Sequence, residues 1–158
     1  VPQGNKGSID DLLYAFQWAS KSDLVDYIGV SILAAPLAYD VESGNKLQRF
    51  NSRLRLMYDL KKKGILSDIK MNGKKIHFLG MVDGPNEIMF MNPFIGFIDT
   101  WDSSAAVWLG LNDQTFDDTP TGRRDGKFED EVDFNFKTEV VDFIEKAMDN
   151  MEYIDKIQ

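Results

Sequence analysis

Apolar and polar positions recur along this chain with two periods, and the switches between them outline a succession of helices and strands. From Ser8 to Ser22 the apolar residues Ile9, Leu12, Leu13, Phe16 and Ala19 fall at helical spacing. Ser8, with Asp11 three residues on, resembles a capping arrangement in which Asp stands for the usual Glu or Gln. Asp26 to Leu33 is nearly continuous in apolar residues and reads as a buried strand. Ala34, Ala35 and Pro36 read as a loop. Leu47, Phe50, Leu54, Met57 and Leu60 mark a second helix from Leu47 to Lys63, with Lys61 to Lys63 at its end and Gly64 as its stop. Lys75 to Met81 is a further strand. Asp83, Gly84 and Pro85 open a short helix, Glu87 to Asn92. Phe97 to Trp101 is another short apolar strand. Residues 109–136 lack clear periodicity and read as a long loop. Residues 137–157 form a terminal helix whose stripe is Val140, Val141, Ile144, Ala147, Met148, Met151 and Ile154.

Val1, Pro2, Gln3 and Gly4 read like the tail of a strand entering a loop, as if the chain begins inside a larger fold. Strands that alternate with helices imply parallel β-α units. The expected fold is therefore α/β, with about four β-α units over residues 1–158 as a single domain. Such a set makes either half of an eight-unit barrel or a small open sheet. Both gather their sites at the carboxyl ends of the strands.

Composition narrows the chemistry. The chain is 43% apolar and 28% charged and has no cysteine. Disulfides, thiolate metal sites and thiol nucleophiles are thereby excluded. No apolar run approaches the roughly 20 residues of a membrane helix, and no signal-peptide pattern opens the chain. A cytoplasmic setting, the host's if a phage encodes the chain, fits these features. The net charge of −8 argues against non-specific nucleic-acid binding while leaving room for one basic strip.

That leaves a short set of candidates. Phe97, Ile98, Asp99, Thr100, Trp101, Asp102, Ser103 and Ser104 form an apolar strand running into a carboxylate, followed by small hydroxyl residues. Asp99 and Asp102 are an odd number apart, so an extended chain sends them to opposite faces. Asp102, further toward the carboxyl end, can attack an anomeric carbon or can cap the helix behind it. Gln3 can read a base or amide edge or serve as an ordinary loop amide. Asp83 suits a turn or cap. His77, the single histidine, lies inside a strand and reads as structural. Arg123 and Arg124, in a Gly-flanked loop, suit phosphate or solvent. Phe94, Phe97, Trp101 and Trp108 suit a core or a stacking platform.

In this order, the segments resemble the carboxyl half of the tRNA-guanine transglycosylase family, base-exchange enzymes built on a TIM-type (β/α)8 barrel. The family's Val-Gln-Gly segment is similar to Val1-Pro2-Gln3-Gly4. Its strand entering Gly-Gly-Leu-Ala is similar to Tyr27 through Ala34, and its Tyr-Leu-Met-Gly strand to His77-Phe78-Leu79-Gly80. Its Ile-Asp-Met-Phe-Asp-Cys segment resembles Ile98-Asp99-Thr100-Trp101-Asp102-Ser103. Its Pro-Thr-Arg segment, with a second arginine and Asn-Gly, resembles Pro120 through Gly126. The Val-Pro-Gln-Gly start and the Asp-Ser-Ser end look closer to the phage and bacterial branch that inserts 7-deazaguanines into DNA.

The resemblance implies replacement of guanine in DNA or tRNA by a 7-deazaguanine through a covalent Asp-glycosyl intermediate. Asp102 would attack, Gln3 and Gly4 would meet the base, and the backbone at Leu33 and Ala34 would line the base pocket. Arg123 and Arg124 would touch nucleic-acid phosphate. No cofactor is called for. Three features depart from the family: no cysteine is present for its structural zinc site, Val30-Ser31-Ile32 replaces its Gly-Gly, and the arginine segment lies farther from Asp102. The barrel's amino half, which carries the family's other essential aspartates, is the expected partner. Without it the chain is expected to be inactive and to self-associate. The alternatives are another (β/α)8 enzyme such as a glycoside hydrolase, or a non-catalytic phage module of the same fold.

Overall fold

The computed structural model of the chain describes residues 1–42, 45–81, 85–111, 114–116 and 141–157. They form a mixed α/β protein in two compact units. One comprises Val1–Gly80 and Phe90–Asp102, the other Met81–Met89 and Ser103–Gln158.

In the first unit, α1 (Ile9–Lys21) starts where the sequence predicts. Ser8 is its N-cap and accepts the Asp11 N–H, and Asp10 and Asp11 lie in its first turn. It buries Leu12, Leu13, Phe16 and Ala19. Strand β1 (Tyr27–Ser31) follows. The predicted loop at Ala34 to Pro36 is instead a short helix, α2 (Ala34–Ala38). Pro36 is tolerated because it sits in the first turn, where its missing N–H has no intrahelical acceptor. Helix α3 (Lys46–Lys62) is capped by Asn45, which accepts the Gln48 N–H. Gly64, at φ 77°, ends it as predicted, yet the chain turns at once into a helix the periodicity did not announce, α4 (Ile65–Met71). Ile65, Leu66 and Ile69 are its buried residues.

The buried face of α3 is rotated from the predicted stripe. Arg53, Leu56, Met57 and Leu60 are buried, whereas Leu54 is only half-buried. The face follows the 53–56/57–60 spacing, because the Arg53 guanidinium is drawn inward by acceptors on the sheet.

Strand β2 (Lys75–Leu79) lies between β1 and β3 (Thr100–Trp101), and all three are parallel. In register, Gly29 pairs with His77 and His77 with Thr100, while Ser31 pairs with Leu79 and Phe78 with Trp101. Ile28, Val30, Ile76 and Phe78 are fully buried on one face of the sheet. The opposite face carries Gly29, His77 and Thr100 in one row. A Cβ at Gly29 would stand 2.8 Å from Leu79 Cδ1 and 3.1 Å from Val1 Cγ2, so those side chains would have to shift to admit it. Residues 1–5 pair with no strand. The sheet therefore has three strands among the described residues, and the predicted stub adds none.

The predicted strand from Phe97 narrows to two residues, because Asn92–Phe97 is a 3-10 helix entered at Pro93. At the amino ends of the strands, the buried Lys74 ammonium donates to the Ser22 carbonyl at 2.6 Å and the Val25 carbonyl at 2.7 Å. Tyr39, at the end of α2, donates to Asp59 of α3 at 2.6 Å, and Arg55 stacks over its ring. Burial first, then the Asp59 carboxylate, holds the Tyr39 phenol above its ordinary range.

The second unit contains α5 up to Met89, α6 (Ala105–Leu111) and α7 (Val141–Ile157); α5 spans Pro85–Phe90 in place of the predicted Glu87–Asn92. Residues 109–111, predicted as loop, belong to α6. A Cβ on Gly110 would stand 2.4 Å from the Ala147 N, so the two helix backbones nearly touch. The buried stripe of α7 runs through Ala147, Asn150 and Ile154, leaving the predicted Ile144, Met148 and Met151 exposed. Asn150 replaces them inside because it is satisfied there. It accepts the Phe116 N–H and donates to the Ala106 and Gln114 carbonyls. Residues 117–140, which hold most of the predicted loop and the start of the terminal helix, lie outside the described residues. Among the described residues, no helix is long and apolar enough to cross a membrane.

The Tyr39–Asp59 bond has a testable pH signature. The folded chain keeps the phenol protonated above its ordinary value of 10.0. Its contribution is therefore complete below that pH and is lost as pH rises beyond it. Tyr39→Phe is expected to cost about 1 kcal/mol at neutral pH. Its urea midpoint should then fall less steeply than the wild type's above pH 10.0. Parallel curves for the two proteins would contradict this.

Candidate functional site

Because the three strands are parallel, their carboxyl ends share one edge of the sheet. β2 ends at Leu79 and turns at Gly80, whose φ of 69° favours glycine. The Arg53 guanidinium, 1% exposed, fixes that turn from behind. Its Nη1 donates to the Leu79 carbonyl at 3.0 Å and its Nη2 to the Gly80 carbonyl at 2.9 Å. The same guanidinium lies over the Phe78 ring. With both carbonyls held, the Gly80 N–H faces β3 and donates to Asp102 Oδ1 at 2.8 Å. The Asp102 N–H in turn donates to the Phe78 carbonyl.

His77 stands 3.3 Å by its Nε2 from the same Asp102 Oδ1. Its Nδ1 lies 2.7 Å from Thr100 Oγ1. Period-two alternation explains the grouping. Thr100 is the register partner of His77, and Asp102, two residues on, returns to the same face. One carboxylate oxygen of Asp102 thus meets two nitrogens, while Oδ2 has no partner among the described residues. The side chain is 59% exposed.

Asp99 goes the other way, as the odd spacing predicts. Its Oδ2 accepts the Ile76 N–H at 2.8 Å, and Lys70 of α4 donates to both its oxygens at 3.1 and 3.3 Å. Asp99 is a structural pin at the amino end of β3. The capping reading of Asp102 is met by a neighbour instead, because Ser103 Oγ accepts the Ala105 N–H at the start of α6. Ser103 also donates to the Met81 carbonyl at 2.6 Å.

The other predicted residues fall elsewhere. Gln3 lines a cleft of about 340 Å³ with Pro2, Trp18, Leu24, Tyr27 and Ile28; Asp102 is not among its lining residues. Gly4 packs on α1, where a Cβ would stand 2.8 Å from the Leu12 N. Leu33 is exposed and Ala34 buried, and both backbone N–H groups donate to Ser31 Oγ, at 3.1 and 3.4 Å. Of the aromatic candidates, Phe94 is fully buried, with its ring edge-on to Tyr58. Asp83, Arg123 and Arg124 lie outside the described residues.

Sequence reasoning treated His77 as structural, placed Gly80 at a strand end without a role, and gave none to Thr100 or Arg53. The signal for Arg53 was present: a cation at 53 interrupts an otherwise apolar stripe between Phe50 and Met57. The signal for His77 lay in the strand register, which sequence alone does not show.

Among the described residues, no group of three or more His, Asp or Glu side chains could hold a metal ion. With no cysteine in the chain, a thiolate zinc site has no ligands. The arrangement is instead that of an exposed carboxylate, oriented by a backbone N–H and an imidazole, at the carboxyl edge of a parallel α/β sheet. No family model matches the chain, and no curated protein or solved structure is detectably similar to it.

The two aspartates should separate in stability measurements. Asp99→Ala leaves the Ile76 N–H and Lys70 without their acceptor and is expected to cost about 1–3 kcal/mol. Asp102→Ala, at an exposed position, should cost less than about 1 kcal/mol. Urea unfolding compares them, and an equal or reversed order would contradict these roles.

Proposed function

We propose that this chain is the carboxyl half of a (β/α)8-type transglycosylase, replacing guanine in DNA or tRNA with a 7-deazaguanine. The observation that carries the reading is the asymmetry of Asp102, with Oδ1 held by Gly80 and approached by His77 while Oδ2 has no partner among the described residues. That is what a glycosyl-accepting carboxylate requires: fixed orientation and one free lone pair toward the anomeric carbon. The motif order supports the same assignment.

In this reading Asp102 displaces guanine from C1′ and holds the pentose, and a second base then takes the sugar back with retained stereochemistry. Gln3, Gly4 and the backbone at Leu33 and Ala34 contact the base, and Arg123 and Arg124 contact phosphate. The Ser31 hydroxyl already occupies the Leu33 and Ala34 N–H groups, so the base would meet side chains or carbonyls there. The reading places the protein in the cytoplasm.

The unevenly covered sheet face supports the barrel. Parallel sheets are normally covered on both faces, and along this row Gly29 is buried, His77 half-buried and Thr100 exposed. The outer edges of β1 and β3 also pair with no strand among the described residues. A second half-barrel closes both, and activity is assigned to the assembly with it. Open edges favour self-pairing, so the isolated chain is expected to run as a dimer or larger species in light scattering. A stable monomer would count against the half-barrel.

Base exchange tests the activity. The protein purified from its native source should incorporate tritiated guanine into duplex DNA or tRNA. Asp102→Asn should lose that activity by at least about a thousandfold. Sugar cleavage without base exchange would favour a glycoside hydrolase. An Asp102→Asn protein that still exchanges would remove Asp102 as nucleophile.

A further inference from the structure

Resting on the transglycosylase reading, we infer that His77 is a positioning residue, presenting Nε2–H to Asp102 Oδ1 so that Oδ2 is the attacking oxygen.

The tautomer follows from the neighbours. A carboxylate is acceptor-only, so the ring nitrogen facing it must carry the proton. In the neutral ring Nδ1 is then an acceptor, and the Thr100 hydroxyl, 2.7 Å away, donates to it. The inferred order is Thr100 Oγ1–H donating to Nδ1, with Nε2–H directed at Asp102 Oδ1. At 3.3 Å, Nε2 is a close electrostatic contact of Oδ1 and not a formed hydrogen bond. Contacts of this kind in unliganded sites commonly shorten when the reacting group is bound.

The consequence is chemical. In the first step, Oδ2 forms the bond to C1′ as the bond from C1′ to the base nitrogen breaks. The base leaves with the electron pair and takes a proton from water. Oδ1 becomes the carbonyl oxygen of the glycosyl ester, still facing the Gly80 N–H and His77 Nε2–H. In the second step the incoming base gives its nitrogen proton to water and bonds to C1′, and the ester electrons return to the carboxylate. Two donors on Oδ1 stabilise the charge that returns, so they act most on the second step. The Arg53 clamp on Leu79 and Gly80 keeps one donor in place, and the pairing of Thr100 with His77 keeps the other.

The chain has a single histidine, so its imidazole nitrogens give one pair of resonances. In nitrogen-15 NMR of the intact chain, the expected result is protonated Nε2 and unprotonated Nδ1. Thr100→Val should shift the Nδ1 signal, and Asp102→Asn the Nε2 signal. A proton on Nδ1 alone, or signals indifferent to both changes, would overturn the placement. In base exchange with tritiated guanine, His77→Phe should lower kcat roughly ten- to a hundredfold with KM unchanged. Glycosylated protein should accumulate in mass spectra, and His77→Gln, which keeps a donor, should restore most of the rate. His77→Phe at wild-type kcat overturns the inference alone. A wild-type protein that exchanges no base overturns the transglycosylase reading and this role with it.

Discussion

β3 has only two residues, and backbone bonds from the Asp99 N–H to Ile76 and from the Asp102 N–H to Phe78 tie its ends to β2. Two carboxylates hold it, each taking a backbone N–H of β2 or its turn. Asp99 binds Ile76 before the strand begins, and Asp102 binds Gly80 after it ends. The third strand is pinned mainly by Asp99, and Asp102 adds the bond that orients the candidate site. The two differ in what else they touch. Asp99 is paired with Lys70, whereas the more exposed Asp102 has an Oδ2 with no partner among the described residues. A carboxylate that fixes the fold with one oxygen while offering the other combines structural and chemical roles at one position. The buried Arg53 completes the arrangement by holding the turn whose N–H makes the bond. Its desolvation is offset by the two carbonyls it meets and by the Phe78 ring face.

Strong periodicity with marked ends made several elements legible in the sequence. The α1 helix has an apolar stripe and a Ser8 cap; β1 and β2 are apolar runs bounded by polar residues; Gly64 stops α3. The failures were equally physical. Pro36 suggested a loop because proline breaks helix interiors, but it stands in a first turn. The α4 helix has only two turns, too short for its period to be distinct from the helix before it. Around Phe94 to Phe97, apolar residues three apart belong to a 3-10 helix, where a short apolar run suggested a strand. In α7 a polar residue, Asn150, occupies the buried stripe because three backbone groups satisfy it, and hydrophobicity alone could not anticipate that.

The site was half legible. Asp102 could be found from a carboxylate following a strand, and its separation from Asp99 followed from an odd spacing. His77 could not, because its significance arises only when register aligns it with Thr100 and alternation brings Asp102 beside it. Gln3 illustrates the opposite case: its chemistry suits a base edge, but its cleft is one that Asp102 does not line. What unites the site is therefore the less buried face of the sheet at β2 and β3, with contributions from Gly80, His77, Thr100 and Asp102.

The central claim is that Asp102 Oδ2 becomes bonded to a sugar carbon. The most direct measurement is to quench the native protein during turnover on sugar-labelled DNA or tRNA, digest it, and locate the label by peptide mass. The account predicts a base-free pentose or pentose-phosphate adduct on the peptide carrying Asp102, absent from an Asp102→Asn protein. Base exchange proceeding with no adduct, or with the adduct on another residue, would contradict it.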